Sequence, residues 1–180
     1  MSKIETQEEQ VTIELHPLPE KWAWLSLGDI GLVQLGKTPR KSDYRNSGEY
    51  KIIKFRDIDK NGNIDWDNDD KGYVDSSDEI RRTLKKLENC DVLVTASAHM
   101  SEHIGKKVGI VITIPSKYKE AYVVGEILQI RTNKEIEPKW VLYYLGSLKG
   151  YKAIQRRVHG VHLIASRARN IEIPLAPPGQ

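Results

Sequence analysis

The sequence predicts an α+β fold: twisted, mostly antiparallel sheets with a few packed helices and with polar loops gathered on one side. Three observations predict it. Short β-branched runs recur between residues 50 and 131, each the length of a strand and separated from the next by turn signals. Helical patterning is limited to a segment opening at Ser76 or Ser77 and to Pro138–Val158. The two most apolar runs, Val92–Thr95 and Val108–Thr113, enclose a polar stretch too long for a tight hairpin.

Taken in order, residues 1–17 read as a flexible tail and Leu18-Pro19-Glu20-Lys21-Trp22 as an entry turn. Trp22, Trp24, Leu25 and Leu27 then supply apolar bulk, and tryptophans in a domain this size are expected as core anchors. Gly36-Lys37-Thr38-Pro39-Arg40-Lys41 is an exposed turn with three bases, able to meet phosphates but lacking the Walker spacing. Tyr50–Arg56 reads as a strand, and Asn61-Gly62 as a hairpin turn with Ile64 and Trp66 on the return. Ser76 or Ser77 caps a helix carrying Ile80, Leu84 and Leu87 on one face. Cys90, the single cysteine, sits beside an apolar run and reads as a small core residue. Ala121–Arg131 reads as one strand. Pro138 fits the first turn of a helix to about Leu148, Gly150 interrupts it, and Tyr151–Val158 forms a second helix. A short strand over Asn170–Leu175 closes the chain, stopped by prolines.

With 180 residues the chain is long enough for one domain with a sizeable core. No apolar run approaches membrane-spanning length, and the polar opening MSKIETQEEQ carries no signal-peptide core, so a cytoplasmic protein with no membrane partner is expected. The net charge of +3 is uneven: the segment 131–169 holds nine bases against two acids, which leaves +7. Such a segment suggests a face for a polyanion, although ordinary solvated helix faces give the same count.

The motifs of catalysis are missing. There is no G-x-S-x-G elbow, no G-x-G-x-x-G and no H-E-x-x-H. His99 and His103 lie four apart and His159 and His162 three apart, but carboxylates near them are few, which favours polar contacts over metal ligation. Asp57, Asp59, Asn61, Gly62, Ile64 and Asp65 imitate the start of an EF-hand loop, yet position twelve is Asn68 where a bidentate Glu is needed, and the flank is strand-like. No metal, cofactor or catalytic residue is expected.

The order of the pieces resembles the target recognition domain of type I restriction-modification specificity subunits. Leu18-Pro19-Glu20-Lys21-Trp22 is similar to the family's Leu-Pro-x-x-Trp opening. Leu27-Gly28-Asp29-Ile30 with Gly36-Lys37-Thr38-Pro39 is similar to its "L-x-D-I … G-x-T-P", and Ile53–Ile58 to its strand before a hairpin. Cys90-Asp91-Val92-Leu93-Val94 resembles "G-D-V-L-V", Gly105–Val111 resembles "I-G-x-x-G-I-V", and Trp140–Leu145 resembles "Y-L-x-Y-Y-L". Ile171–Pro178 resembles "I-x-I-P-L-P-P". Each piece is short; their shared order from residue 18 to 178 is the specific signal.

The resemblance implies a single recognition domain over 18–178 that reads one half of a bipartite target in double-stranded DNA, without catalysis of its own. It also implies methyltransferase subunits and an endonuclease/translocase subunit as partners, and a second recognition domain or second copy in the full assembly. The family's spacer helix, expected after residue 178, is absent from this sequence, so a truncated chain or a half-length subunit is expected. The residues expected to meet DNA in the major groove are Lys37, Thr38 and Arg40; Ser97, His99, Ser101, Lys106 and Lys107; and Arg156, Arg157, His159 and His162. Two other readings compete: a metal-dependent nuclease using the histidines with Asp57, Asp59 or Glu102, and a protein-interaction domain with a basic face.

Overall fold

Val92–Thr95 is apolar or β-branched at every position because this strand is covered on both faces. The structure, a computed structural model, describes residues 17–68 and 72–177. Most of the expected tail and Pro178 lie outside the described residues. Eleven strands and five α-helices follow one another among the described residues. The first group is β1 (Ala23–Ser26), α1 (Leu27–Ile30), β2 (Gly31–Leu35), β3 (Tyr44–Arg45), β4 (Tyr50–Ile53) and β5 (Tyr73–Val74). Next come α2 (Asp78–Arg81), β6 (Lys85–Lys86), β7 (Val92–Thr95), β8 (Val108–Ile110), β9 (Glu120–Val123) and β10 (Ile127–Thr132). The chain closes with α3 (Pro138–Gly146), α4 (Leu148–Gln155), α5 (Ala165–Ala168) and β11 (Glu172–Leu175).

The strands form three sheets: β1-β11, β2-β10-β7-β8 and β3-β5-β4-β9-β6. Every pairing is antiparallel except β4 with β9. This is the predicted α+β class. The four-stranded sheet lies between two cores. Val92 and Val94 of β7, with Leu128 and Ile130 of β10, pack with Val141 and Leu145 of α3 and Ile154 of α4. Leu93 and Ile127 point into the other core, among Ile52, Ile53, Ala121 and Val123 of the five-stranded sheet. Side chains alternate along a strand, so each face of β7 serves a different layer.

One polar network joins the layers where they meet. Asp91 is fully buried at the entry to β7. Arg131 of β10 binds it through two nitrogens, Nε to Oδ1 at 2.8 Å and Nη2 to Oδ2 at 2.9 Å. Gln129 Nε2 donates to Asp91 Oδ2 (2.7 Å) and to the Lys86 carbonyl (2.9 Å), and the Glu88 amide donates to Asp91 Oδ2 (2.7 Å). Gln34 of β2 completes the chain by donating to Gln129 Oε1 at 2.9 Å. A second cluster fastens the edge of the five-stranded sheet. Arg81 and Lys86 donate to Glu120 at 2.8 and 2.7 Å, Tyr122 also donates to it, and Arg81 lies 4.3 Å from the Tyr50 ring centroid.

Several local expectations are corrected. The helix after Ser77 is a single short segment, and Lys85–Lys86 pairs as a strand with Tyr122 and Val123. Leu84 and Leu87 are buried by that strand, not by a helix face. Ala121–Arg131 is two strands in two sheets, divided at Val124–Glu126. The expected strand over Tyr50–Arg56 ends at Ile53 and gives way to a 3-10 turn over Phe55–Asp57. Gly150 lies inside α4, where a Cβ would stand 2.0 Å from the Tyr144 carbonyl oxygen; the break falls instead at Ser147, whose hydroxyl accepts from the Gly150 amide. The tryptophans are half-buried or exposed edge contacts and not core anchors. Trp22 packs edge-on against Trp140 at 5.6 Å, and Trp140, exposed at the surface, donates from Nε1 to the Pro174 carbonyl at 2.7 Å.

Cys90 is exposed, with φ at +71°, and belongs to a turn instead of the core. The related motif has glycine at this place, and an L-residue in the left-handed region costs about 1–2 kcal/mol. Cys90→Gly should therefore raise the unfolding free energy by about 0.5–1 kcal/mol after glycine's own entropy cost, read from urea denaturation. Hydrogen bonds from Lys86, then from Tyr122 and Arg81, hold the Glu120 carboxyl at about 2, below its ordinary 4.5. Because the folded value is depressed, the stabilisation is complete above about pH 4.5 and disappears as pH falls toward about 2. Glu120→Gln should be less stable than wild type at neutral pH, with the gap narrowing through that window in acid denaturation curves.

Candidate nucleic-acid interface

The strand ends of both sheets converge on one cleft of about 830 Å³. Its lining comes from Phe55, just past β4; Thr95, Ser97 and Ala98 at the exit of β7; and Glu126, between β9 and β10. The connection from β7 to β8 adds His99, His103, Lys106 and Lys107, and a tight turn before α5 adds Val161 and His162. Two lysines and three histidines thus stand against a single carboxylate.

The β7–β8 connection is long and polar, yet its backbone is pinned. The Gly105 amide donates to the Thr95 carbonyl (2.8 Å) and the Thr95 amide to the Lys107 carbonyl (3.0 Å), which draws both ends together. Ile104 is fully buried beneath the loop. Gly105 has φ +75°, and a Cβ there would meet Ile154 Cγ2 at 2.8 Å, so glycine is required for the close approach to α4. From α4, Gln155 Nε2 donates to the carbonyls of Ser101 (3.0 Å) and Ile104 (2.8 Å), and the Tyr151 hydroxyl donates to that of Glu102 (2.8 Å). Carbonyls that a solvated loop would leave to water are held by a helix.

The opposite wall is a small hairpin. His159 and His162 exchange backbone hydrogen bonds around Gly160, whose φ is +58°. The Leu163 amide donates to the Ala96 carbonyl at 2.8 Å, and Ser97 Oγ lies 2.9 Å from His162 Nδ1. This couples two residues 65 apart in sequence. Phe55 opens a 3-10 turn closed by Asp57. The Asp57 carboxylate accepts from the Lys54 amide and Asn68 Nδ2, both at 2.7 Å, and burial pushes its pKa upward against these bonds. In the adjoining turn, Asp59 Oδ1 accepts from the amides of Asn61 and Asn63 at 2.7 and 2.9 Å. Asp65 Oδ1 accepts from the Asp67 amide at 3.1 Å, so all three carboxylates of the apparent EF-hand are occupied by their own turns. Among the described residues no group of three His, Cys, Asp or Glu stands close enough to hold a metal.

The cleft brings together Ser97, His99, Lys106, Lys107 and His162 from the sequence-derived set. Ser101 and His159 sit one step outside it, on the pinned loop and the hairpin. Lys37, Thr38 and Arg40 do not line it; Thr38 alone is tied to its rim, where Oγ1 accepts from the Gly125 amide at 3.0 Å, next to Glu126. Arg156 and Arg157 do not line it. Arg156 acts on the Tyr144 hydroxyl, which also feels Glu172, and Arg157 is half-buried past α4. The basic segment 131–169 is likewise divided. Arg131 binds Asp91 and Glu88, and Arg169 donates to the Val33 carbonyl. Phe55, Thr95, Ala98, His103, Glu126 and Val161 as lining, and Gln155 and Tyr151 as supports, were not among the residues expected from the sequence. No local signal marked Phe55, which the sequence pattern places inside the strand expected over Tyr50–Arg56.

Fold and cleft define the class: an α+β recognition domain in which two sheets present a pinned, base-bearing set of loops. The chain belongs to the family described as the type I restriction modification DNA specificity domain, whose profile matches residues 19–180. Among solved structures it is similar to the HsdS subunit from Thermoanaerobacter tengcongensis, with a TM-score of 0.64 and 18% identity over 90% of this chain and 35% of that one. A chain from work on complex assembly and conformational transition of the type I R-M system gives 0.64 and 19%, over 90% and 36%. The type I restriction-modification S subunit from M. genitalium gives 0.50 and 15%, over 86% and 34%. At these identities the likeness is one of fold, and this chain spans about a third of the length of those chains. No curated protein matches it in sequence. No helix among the described residues is long and apolar enough to cross a membrane.

Gln155 is a direct test of the pinned loop. Gln155→Ala removes two donors from half-buried carbonyls and should lower stability by about 1–2 kcal/mol. Amide exchange over 101–107 should accelerate well beyond that of β7 and β10, as read by mass spectrometry.

Proposed function

We propose that this domain reads a short sequence in duplex DNA, one half of a bipartite target, on behalf of a type I restriction-modification complex. The observation that carries the reading is the family match over residues 19–180. The cleft supports it: convergent loops on a rigid two-sheet frame, cationic side chains for phosphates, and Ser, Thr and His groups for base edges in the major groove. The domain delivers specificity and does no chemistry itself. Its partners in this reading are the methyltransferase subunits and the DNA-translocating endonuclease subunit, with a second recognition domain or a second copy reading the other half-site. The recognition unit runs from about residue 18 to 178, and the protein acts in the cytoplasm. Within the set proposed to contact DNA, Ser97, His99, Lys106, Lys107 and His162 line the cleft, and Lys37, Thr38, Arg40, Ser101 and His159 are proposed as contacts outside that lining. Arg156 and Arg157 have at most a peripheral role.

The test is binding to duplex DNA across a salt series. Phosphate neutralisation gives a linear fall of log K with log salt. Lys106→Ala and Lys37→Ala should each weaken binding to all duplexes alike and flatten the slope by about one unit per lost contact. Arg156→Ala should leave the slope unchanged. Binding without salt dependence, or DNA cleavage that survives repurification and is lost on a His99 or His162 substitution, would refute the reading.

A further inference from the structure

The chain contains one phenylalanine, and the fold does not place it in either core. Phe55 is 48% exposed and lines the cleft. Its position is fixed from both sides. Behind it, buried Asp57 clamps the 3-10 turn through the Lys54 amide and Asn68. In front, Lys107 Nζ donates to the Phe55 carbonyl at 3.1 Å and stands 5.6 Å from the ring centroid. Val161, at the tip of the His159–His162 hairpin, is also exposed and lines the same cleft, as does Ala98. The remaining lining is polar: Thr95 and Ser97, three histidines, two lysines and Glu126.

Phe55 and Val161 are two exposed apolar side chains on the same cleft, and neither can pair with a phosphate or hydrogen-bond a base edge. The major groove of B-DNA presents one apolar group, the 5-methyl of thymine. We propose that Phe55 and Val161 form an apolar seat for a thymine 5-methyl group. The half-site then contains at least one A·T pair read through that methyl, while Ser97, His99 and His162 take polar edges nearby. Lys107 acts as a positioning residue for the ring. The inference rests on the DNA reading above and adds the chemical group that the cleft selects.

The experiment selects the preferred duplex from a randomised pool with the intact chain. Each thymine of the winner is then replaced singly by deoxyuridine, which removes only the methyl. One position should lose about three- to fivefold in affinity, the effect of a buried methyl-sized group. Phe55→Ala should weaken the thymine duplex and erase the difference from its uracil counterpart, whereas Phe55→Leu should retain part of it. The uracil scan needs no variant, so it stands even if Phe55→Ala fails to fold. A clear sequence preference with no methyl-sensitive thymine, or a sensitive thymine unaffected by Phe55→Ala, overturns the seat and leaves the DNA reading intact. A pool that yields no preferred sequence overturns both.

Discussion

The structure depends on a carboxylate buried at the junction of two sheets. Asp91 is fully buried and meets Arg131 in a two-pronged geometry, with Gln129 and the Glu88 amide on its second oxygen. A buried ion pair of this kind gives little net stability over an apolar replacement, but removing one partner costs roughly 3–5 kcal/mol because the other is left uncompensated. Its value here is geometric. The acceptors admit one register of β7 against β10, and the bonds from Gln129 and Arg131 to the Lys86 carbonyl tie that register to the edge strand of the other sheet. Among the described residues, no buried side-chain nitrogen or oxygen is left without a partner.

With the register fixed at one end of β7, the opposite end delivers the cleft. Thr95, Ser97 and Ala98 emerge where β4 and β9, the one parallel pair, also end. A residue of β7 that points into the helix-side core is followed by one that points into the sheet-side core, so neither layer can slide without unpacking the other. The loops therefore inherit the rigidity of both sheets, and α4 adds Gln155 and Tyr151 to hold the longest of them. Preorganisation of this kind lowers the ordering cost when a ligand is met. The arrangement suits a domain that must discriminate among similar double-stranded sequences.

Features fixed by local chemistry were legible in the sequence. The β-branched run of β7, the Asn61-Gly62 turn, Pro138 at the start of α3 and the closing strand all appear where local pattern places them, and β8 occupies the first half of the run expected over Val108–Thr113. The errors arise where tertiary structure decides. Val123-Val124-Gly125-Glu126-Ile127 is apolar on both sides of a sheet change, so periodicity reads it as continuous. Leu84 and Leu87 fit a helical face, but pairing of Lys85 and Lys86 with β9 overrides that pattern. Cys90 looked like core because its neighbours are, although the glycine of the related motif pointed to a positive φ. For the cleft, loop composition located Ser97, His99, Lys106 and Lys107, while Arg156, Arg157 and Arg131, which the charge count also includes, lie outside its lining. A linear charge sum cannot tell a base facing solvent from one paired with Asp91 or set against Tyr144.

The central claim is that the cleft at the end of β7, and not the α3/β1/β11 side, is the DNA-reading surface. Amide exchange of the protein, free and saturated with its selected duplex, tests this most directly. The account predicts new protection concentrated in residues 54–56, 96–107 and 158–163, with the exchange of β1, α3 and β11 unchanged. Protection confined to α3, β1 and β11, with the cleft loops exchanging as in the free protein, would contradict it.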